Sequence, residues 1–302
     1  MTATTIPNPA ELATQFPPRS RVHSSLHLDF ARDATTGNTH LAESLQEPPL
    51  KVVRAFTQDD GAALVHLHNV SGGLLGGDHL RLRVSLAAQT KVQLTTTSAT
   101  RIYRHRPEFP ATIQQNEITI GESALLEYLP DAIIPFAGSR FLQQTSIRLA
   151  EGAGLFWWEI LAPGREASGE LFHYDQFEMK TTISARGRRI AAENISLRPA
   201  TQNLSSPARL GRYRYSASFY ICQVGLDSNA WRAAEVHLRE LTSSLTRPGE
   251  LLWSISTLLA HGLIVRCLAR NGREVLPGLQ AIWCRAKLHL YGREANPPRK
   301  VN

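Results

Sequence analysis

The sequence predicts a mainly β protein: a stacked, β-helix-like body of the solenoid or sandwich kind, followed by two C-terminal α-helices. Three observations carry this. Apolar and polar residues alternate over many short runs, the pattern of half-buried strands. Pairs of such runs recur at similar spacing along the chain. After Asp227 the alternation gives way to helical spacing.

Residues 1–19 are polar and proline-punctuated, so a mobile tail is expected there, ahead of a single domain over residues 20–291 and a second tail over 292–302. Residues 26–30 read as the first strand and 50–56 as another. Asp59-Asp60-Gly61 turns the chain into a third, over 62–70. In that strand His66 and His68 lie two apart and share a face. With no third ligand nearby in sequence, a solvated polar face is preferred over a metal site.

The glycine cluster Gly72-Gly73-Leu74-Leu75-Gly76-Gly77-Asp78 comes next. Glycines permit positive φ and close approach of backbones. The alternating run Leu80-Arg81-Leu82-Arg83-Val84-Ser85-Leu86 follows, so the cluster is a turn feeding strands. A phosphate loop would need a helix opening directly after it, and none is signalled.

From Val84 the chain repeats. Val84-Ser85-Leu86 leads to Val92-Gln93-Leu94, Ile118-Thr119-Ile120 to Leu126-Glu127-Tyr128, and Ile147-Arg148-Leu149 to Leu155-Phe156-Trp157. In each pair the second run starts eight positions after the first, and successive pairs are offset by 34 and then 29 positions. Strand units at such a period imply stacking, because one unit cannot bury its apolar face alone. Further strands are read over 172–183, 190–197 and 213–224. Asp227-Ser228-Asn229 offers a helix cap, and Trp231, Ala234, Leu238 and Leu241 then mark a helix near 229–245. Gly262 divides 251–259 from 263–268 as two strands. Leu276, Leu279, Trp283 and Ala286 mark a last helix near 275–290, with Pro277 in its first turn.

Net charge is +7 with pI ≈ 9.6, and the charge is spread along the chain. No basic run is interleaved with aromatics, so an acidic protein surface is a better partner than nucleic acid. No apolar run is long enough to cross a membrane, and residues 1–20 lack a signal-peptide core. The three cysteines, Cys222, Cys267 and Cys284, are widely separated, which suits a reducing compartment and a cytoplasmic location.

No serine-hydrolase elbow, zinc-protease motif or Walker loop is present. Acidic residues do recur beside apolar runs: Asp78, Glu127, Glu159 and Glu193. Glu159 follows Phe156-Trp157-Trp158, where a carboxyl could have a raised pKa and serve a carbohydrate-active β-solenoid enzyme with paired carboxylates. The simpler expectation pairs Glu159 with Arg165.

These residues also carry a family resemblance. The glycine cluster, Leu94-Thr95-Thr96 and Arg101-Ile102-Tyr103-Arg104 resemble the signature of the urease accessory protein UreD (UreH) family. So do Leu126-Glu127-Tyr128-Leu129-Pro130 through Ile134-Pro135-Phe136, then Pro163-Gly164-Arg165 with Gly169-Glu170, and finally Gly262 to Leu268 and Ile282 to Arg285. Gly72, Gly73, Gly76, Gly77, Tyr103, Glu127, Gly164, Arg165, Gly169 and Glu170 are the structural residues of that pattern. The resemblance implies a urease maturation chaperone and not an enzyme. Such a chaperone docks on urease apoprotein and holds UreF, which recruits the GTPase UreG. The resemblance implies no cofactor of its own and no tightly bound metal, with nickel passing through an internal, water-filled passage. Asp78, Ser98, Glu159 and Glu193 are the residues it places on that path. It also brings the C-terminal region to UreF, with Trp231, Leu276 and Trp283 as candidate contacts.

Overall fold

A computed structural model describes residues 22–298. The proposed tail over 1–19, and the end of the one over 292–302, lie outside the described residues. The strands are β1 (His23–Arg32), β2 (Thr39–Glu47), β3 (Leu50–Lys51), β4 (Ala55–Thr57), β5 (Ala63–Asn69), β6 (His79–Leu86), β7 (Lys91–Thr96), β8 (Thr100–Ile102) and β9 (Thr112–Ile120). They continue as β10 (Leu125–Tyr128), β11 (Ile133–Pro135), β12 (Arg140–Leu149), β13 (Gly154–Leu161), β14 (Gln176–Ala185), β15 (Arg188–Leu197) and β16 (Tyr215–Gln223). Helix α1 (Ser228–Leu245) precedes β17 (Leu251–Thr257) and β18 (Gly262–Ala269), and α2 (Val275–Tyr291) closes the fold.

The fold is mainly β with two C-terminal helices. One sheet has the order β15-β14-β12-β9-β6-β1-β2; the second runs β17-β18-β16-β13-β10-β7-β5-β3. The repeated units stack in register. Val84 lies beside Ile118 and Ile118 beside Ile147 in the first sheet. Val92 lies beside Leu126 and Leu126 beside Leu155 in the second. The two runs of each unit therefore belong to different sheets, and neighbours within a sheet come from successive units, mostly in parallel.

Side-chain pattern follows from position. Strand β12 alternates buried and exposed residues, since only one face of the first sheet meets the core. Strand β13 is buried on both faces, because the second sheet is packed between the first sheet and the helices. One core lies between the sheets around Leu28, Val84, Ile118, Ile147 and Trp157. A second lies between the second sheet and the helices around Phe156, Trp158, Phe219, Leu238 and Trp283, and a third, smaller one gathers Leu74, Ile102, Phe141 and Phe177. Each fully buried aliphatic or aromatic side chain contributes about 1.5–3 kcal/mol.

The Asp227 carboxylate caps α1, accepting from the Asn229 and Ala230 amides at 2.9 and 2.8 Å. Helix α2 ends at Gly292, whose φ of +60° permits the left-handed C-cap. Trp231 and Trp283, the candidate partner contacts, are 3% and 0% exposed, and Leu276 packs at the edge of the same core. The tryptophans therefore hold the helices to the sheet and do not face a partner; of the three, only Leu276 is partly accessible.

The strands depart from the sequence reading at several places. Residues 50–56 form two short strands, because the Val52 amide bonds the Gln46 side chain at 2.9 Å and leaves the ladder. Strand β14 begins at Gln176, since Phe172 has a φ of +58° and bonds Pro163 O. The edge strand β2 was not read at all; it is mostly solvent-exposed and so lacks an apolar alternation.

Candidate functional site

The repeat that stacks apolar residues also stacks polar ones. Two positions before Val84, Ile118, Ile147 and Ile183 lie Leu82, Asn116, Thr145 and Thr181, and Glu193 continues this rung on β15. Asn116, Thr145 and Thr181 are buried. Across the sandwich, Glu159, Ser218, Arg266 and Ser254 form a polar rung of the second sheet. Two polar rungs thus share the intersheet space beside the apolar core.

Hydrogen bonds connect them. Gln114 donates to Asn116 at 3.1 Å and Asn116 to Thr145 at 3.0 Å. Gln143 donates to Thr145 at 3.4 Å and to Glu159 Oε1 at 2.5 Å. Glu193 accepts from the Tyr220 hydroxyl at 2.7 Å and pairs with Arg266. Burial pushes the Glu159 carboxyl up to about 8; the Gln143 amide opposes this and the Glu193 carboxylate adds to it. The expected Glu159–Arg165 pair does not form. Arg165 instead forks Glu170, with Nε 2.9 Å from Oε2, and its guanidinium lies over Phe136.

A run of cavities follows the seam. One of about 70 Å³ lies under the glycine loop, lined by Gly72, Gly73, His68 and Ser98. A second of about 40 Å³ shares Thr96, Thr100, Gln114 and Tyr128 with it, and reaches Gln143 and Glu159. A third of about 500 Å³ shares Glu159 with the second and is lined further by Glu193 and Arg266. The smaller two have room for ordered water, which occupies about 30 Å³ in the liquid.

Of the four path candidates, Glu159 and Glu193 meet at one end of this run, and Ser98 lies exposed at the other. Asp78 lines none of these three cavities. It is 5% exposed, and its Oδ2 accepts from the Leu75 amide at 2.8 Å, so it holds the glycine loop. Burial raises its pKa, opposed by that amide. Asn116, Gln143, Thr145 and Thr181 were missed; the signal for Asn116, Thr145 and Thr181 is a polar residue two places before each repeat's apolar position, and Gln143 lies a further two places back on the same face of its strand. The seam offers carboxylates, amides and hydroxyls. Among the described residues no group of three or more His, Cys, Asp or Glu is placed to hold a metal. Oxygen donors dominate, with His68 a lone imidazole in the first cavity, so a cation is attracted without the grip of several imidazoles or thiolates.

The other motif residues build the walls. Gly72 and Gly77 have φ of +76° and +89°. Gly73 is needed for space: a Cβ there would lie 2.5 Å from the Tyr103 ring and 2.8 Å from Arg101 O. Replacing Gly73 with valine should cost about 2–4 kcal/mol, read as a lower melting temperature, because backbone on the far side cannot yield. An unchanged midpoint would show that the loop has no fixed packing. Gly76 keeps an ordinary φ, and a Cβ there would lie 3.2 Å from His105 Nδ1. Gly164 has a φ of +140° and faces Glu170 O, and Gly169 ends a short turn over Glu166–Ser168. Glu127 is buried beneath α2, paired with Lys287 at 2.9 Å.

Comparison with known proteins agrees with the motif reading. The profile described as UreD urease accessory protein matches residues 22–302. A urease accessory protein UreD of Herpetosiphon aurantiacus is 49% identical over 281 residues, covering 93% of this chain and 97% of that protein. One from Deinococcus radiodurans is 35% identical over 248 residues, covering 82% and 84%. One from Lysinibacillus sphaericus is 31% identical over 249 residues, covering 82% and 90%.

Proposed function

The chain belongs to the UreD urease accessory protein family, with a role in urease maturation, and from that premise we propose that it is the scaffold through which nickel reaches the urease apoprotein. It docks on the apoprotein and binds UreF, which brings UreG. Nickel is cargo here, not a resident cofactor. The observation that carries this reading is the run of adjoining cavities from Ser98 to Glu159 and Glu193. A conduit must attract a cation enough to admit it and weakly enough to release it. Glu159 and Glu193 at one end, with Asp131, a single imidazole at His68, and amides and hydroxyls along the rest, suit that demand. The in-register parallel units support reading the body as β-helix-like, a shape that leaves a continuous interior between its two sheets.

UreF docks, in this reading, on the outer face of the helices. His237 and His289 stack there with centroids 4.8 Å apart, and their sequence neighbours Val236 and Leu288 are 62% and 51% exposed. The test is co-expression with urease subunits and UreF. The wild-type chain should bring down both. A Val236→Glu, Leu288→Glu double variant should keep its melting temperature and the urease subunits but lose UreF. Full UreF capture by that variant would move the docking surface elsewhere.

A further inference from the structure

A further concave surface opens beyond Arg101, which also lines the first cavity of the seam, and has no part in the reading above. It is an open groove of about 1120 Å³, larger than the roughly 300–1,000 Å³ typical of small-molecule pockets. Three of the motif segments converge on it: Arg101 of β8, Ile134 and Phe136 at β11, and Gly164-Arg165 after β13. The turn from Arg270 to Arg273 completes it.

Its chemistry is one-sided. Five arginines line it against two glutamates. Three of the arginines are committed. Arg214 donates to Glu166 at 2.6 Å, Arg270 to Glu250 at 2.7 Å, and Arg165 forks Glu170. The Tyr215 hydroxyl also donates to Glu166, at 2.7 Å, so each oxygen of that carboxylate has a donor. Arg101 and Arg273 are exposed and have no carboxylate partner among the described residues. Between the charges, Ile134, Phe136 and Tyr215 are half-buried and give the groove apolar ground.

We infer that this groove docks an extended acidic segment of a partner protein, anchored by an aliphatic or aromatic side chain. Unpaired arginines on the rim take the carboxylates, and the apolar ground takes the anchor. A lone phosphate would leave most of the groove empty. Nucleic acid would call for a row of free aromatic faces, and the face of Phe136 is already covered by Arg165, 4.3 Å from its ring centre.

The test uses the full chain and a fluorescein-labelled twelve-residue peptide of glutamates with a central Leu-Phe. A control peptide has lysine for each glutamate. Fluorescence anisotropy should show binding of the acidic peptide only, weakening as salt rises. Arg101→Glu with Arg273→Glu should weaken it by about tenfold or more, the scale of losing close charge pairs. Arg148→Glu with Lys180→Glu makes the same change in net charge on the outer face of the first sheet, and should alter affinity by less than about twofold. Equal losses from both pairs, no binding of the acidic peptide, or binding of the basic one would overturn the proposal. So would displacement by inorganic phosphate or oligo-dT as complete as that by unlabelled peptide. Should the double reversal fail to fold, Arg273→Gln alone must still weaken binding.

Discussion

Glu127→Ala is expected to lower stability by about 3–5 kcal/mol, the cost of stranding one partner of a buried ion pair. In a chain of this size that moves the melting temperature by about 5–15 °C. Glu127 and Lys287 are 3% and 4% exposed, and their atoms approach to 2.9 Å between β10 and α2. Glu127 also accepts from Trp283 Nε1 at 3.1 Å and from Gln93 at 3.2 Å. Burial raises its pKa, and Lys287, Trp283 and Gln93 oppose that rise. Removing the carboxylate leaves a buried ammonium, and Lys287 loses the one carboxylate it meets among the described residues. The double change Glu127→Gln, Lys287→Met should cost less than Glu127→Ala alone, because no charge is then left behind. A single variant within about 1 kcal/mol of wild type would mean that water reaches the pair. The same pair explains why the last helix cannot be trimmed as a separable docking arm: Leu279, Ile282 and Trp283 are fully buried on its inner face.

Glu159→Gln should have two effects of opposite sign. The first is on stability. Burial raises the folded-state pKa to about 8 from the ordinary carboxyl value of 4.5, so the native protein holds a proton that the unfolded chain gives up. The wild type is therefore unpenalised below pH 4.5, loses stability as pH rises toward 8, and carries the whole penalty above that. Glutamine cannot ionise. The variant should match wild type near pH 4.5 and exceed it at pH 8.5 by on the order of a few kcal/mol in denaturant titrations. The second effect is on cargo. With the other accessory proteins and urease co-expressed, the complex should still assemble, and the urease should hold about tenfold less nickel, because an entering cation can displace the Glu159 proton and bind the carboxylate, whereas glutamine has no proton to give up. Extra nickel in the medium should restore part of it. Full nickel incorporation would remove Glu159 from the path. A variant less stable than wild type at pH 8.5 would show that its carboxylate, not its acid form, belongs in the folded seam.

Much of the protein was legible because stacking leaves a period in the sequence. Val84, Ile118 and Ile147 were recognised as equivalent from spacing, and they are neighbours on one ladder. The cap at Asp227 and the apolar stripes of both helices were readable because helix geometry is local. The family was readable from its ordered motifs, and what the motif residues do was less so. Gly73 is spaced by Tyr103, and Asp78 is a brace for its own loop. Glu159 finds Gln143, sixteen positions away, while the nearby Arg165 goes to Glu170.

The sequence by itself determined the strand period, the two late helices, the stacking register and the family. Those properties depend on residues within one turn, one strand or one repeat. Only the tertiary structure decided which polar residues meet. The polar seam joins strands of two sheets, and Glu127 reaches Lys287 across 160 positions. Trp231 and Trp283 are apolar stripe residues in sequence, and a stripe has the same pattern whether it meets a sheet or a partner; the sheet lies over these two. A side chain's partner depends on which strand the chain lays beside it. That follows from burying the apolar rungs, which have no preference among the polar residues they carry along.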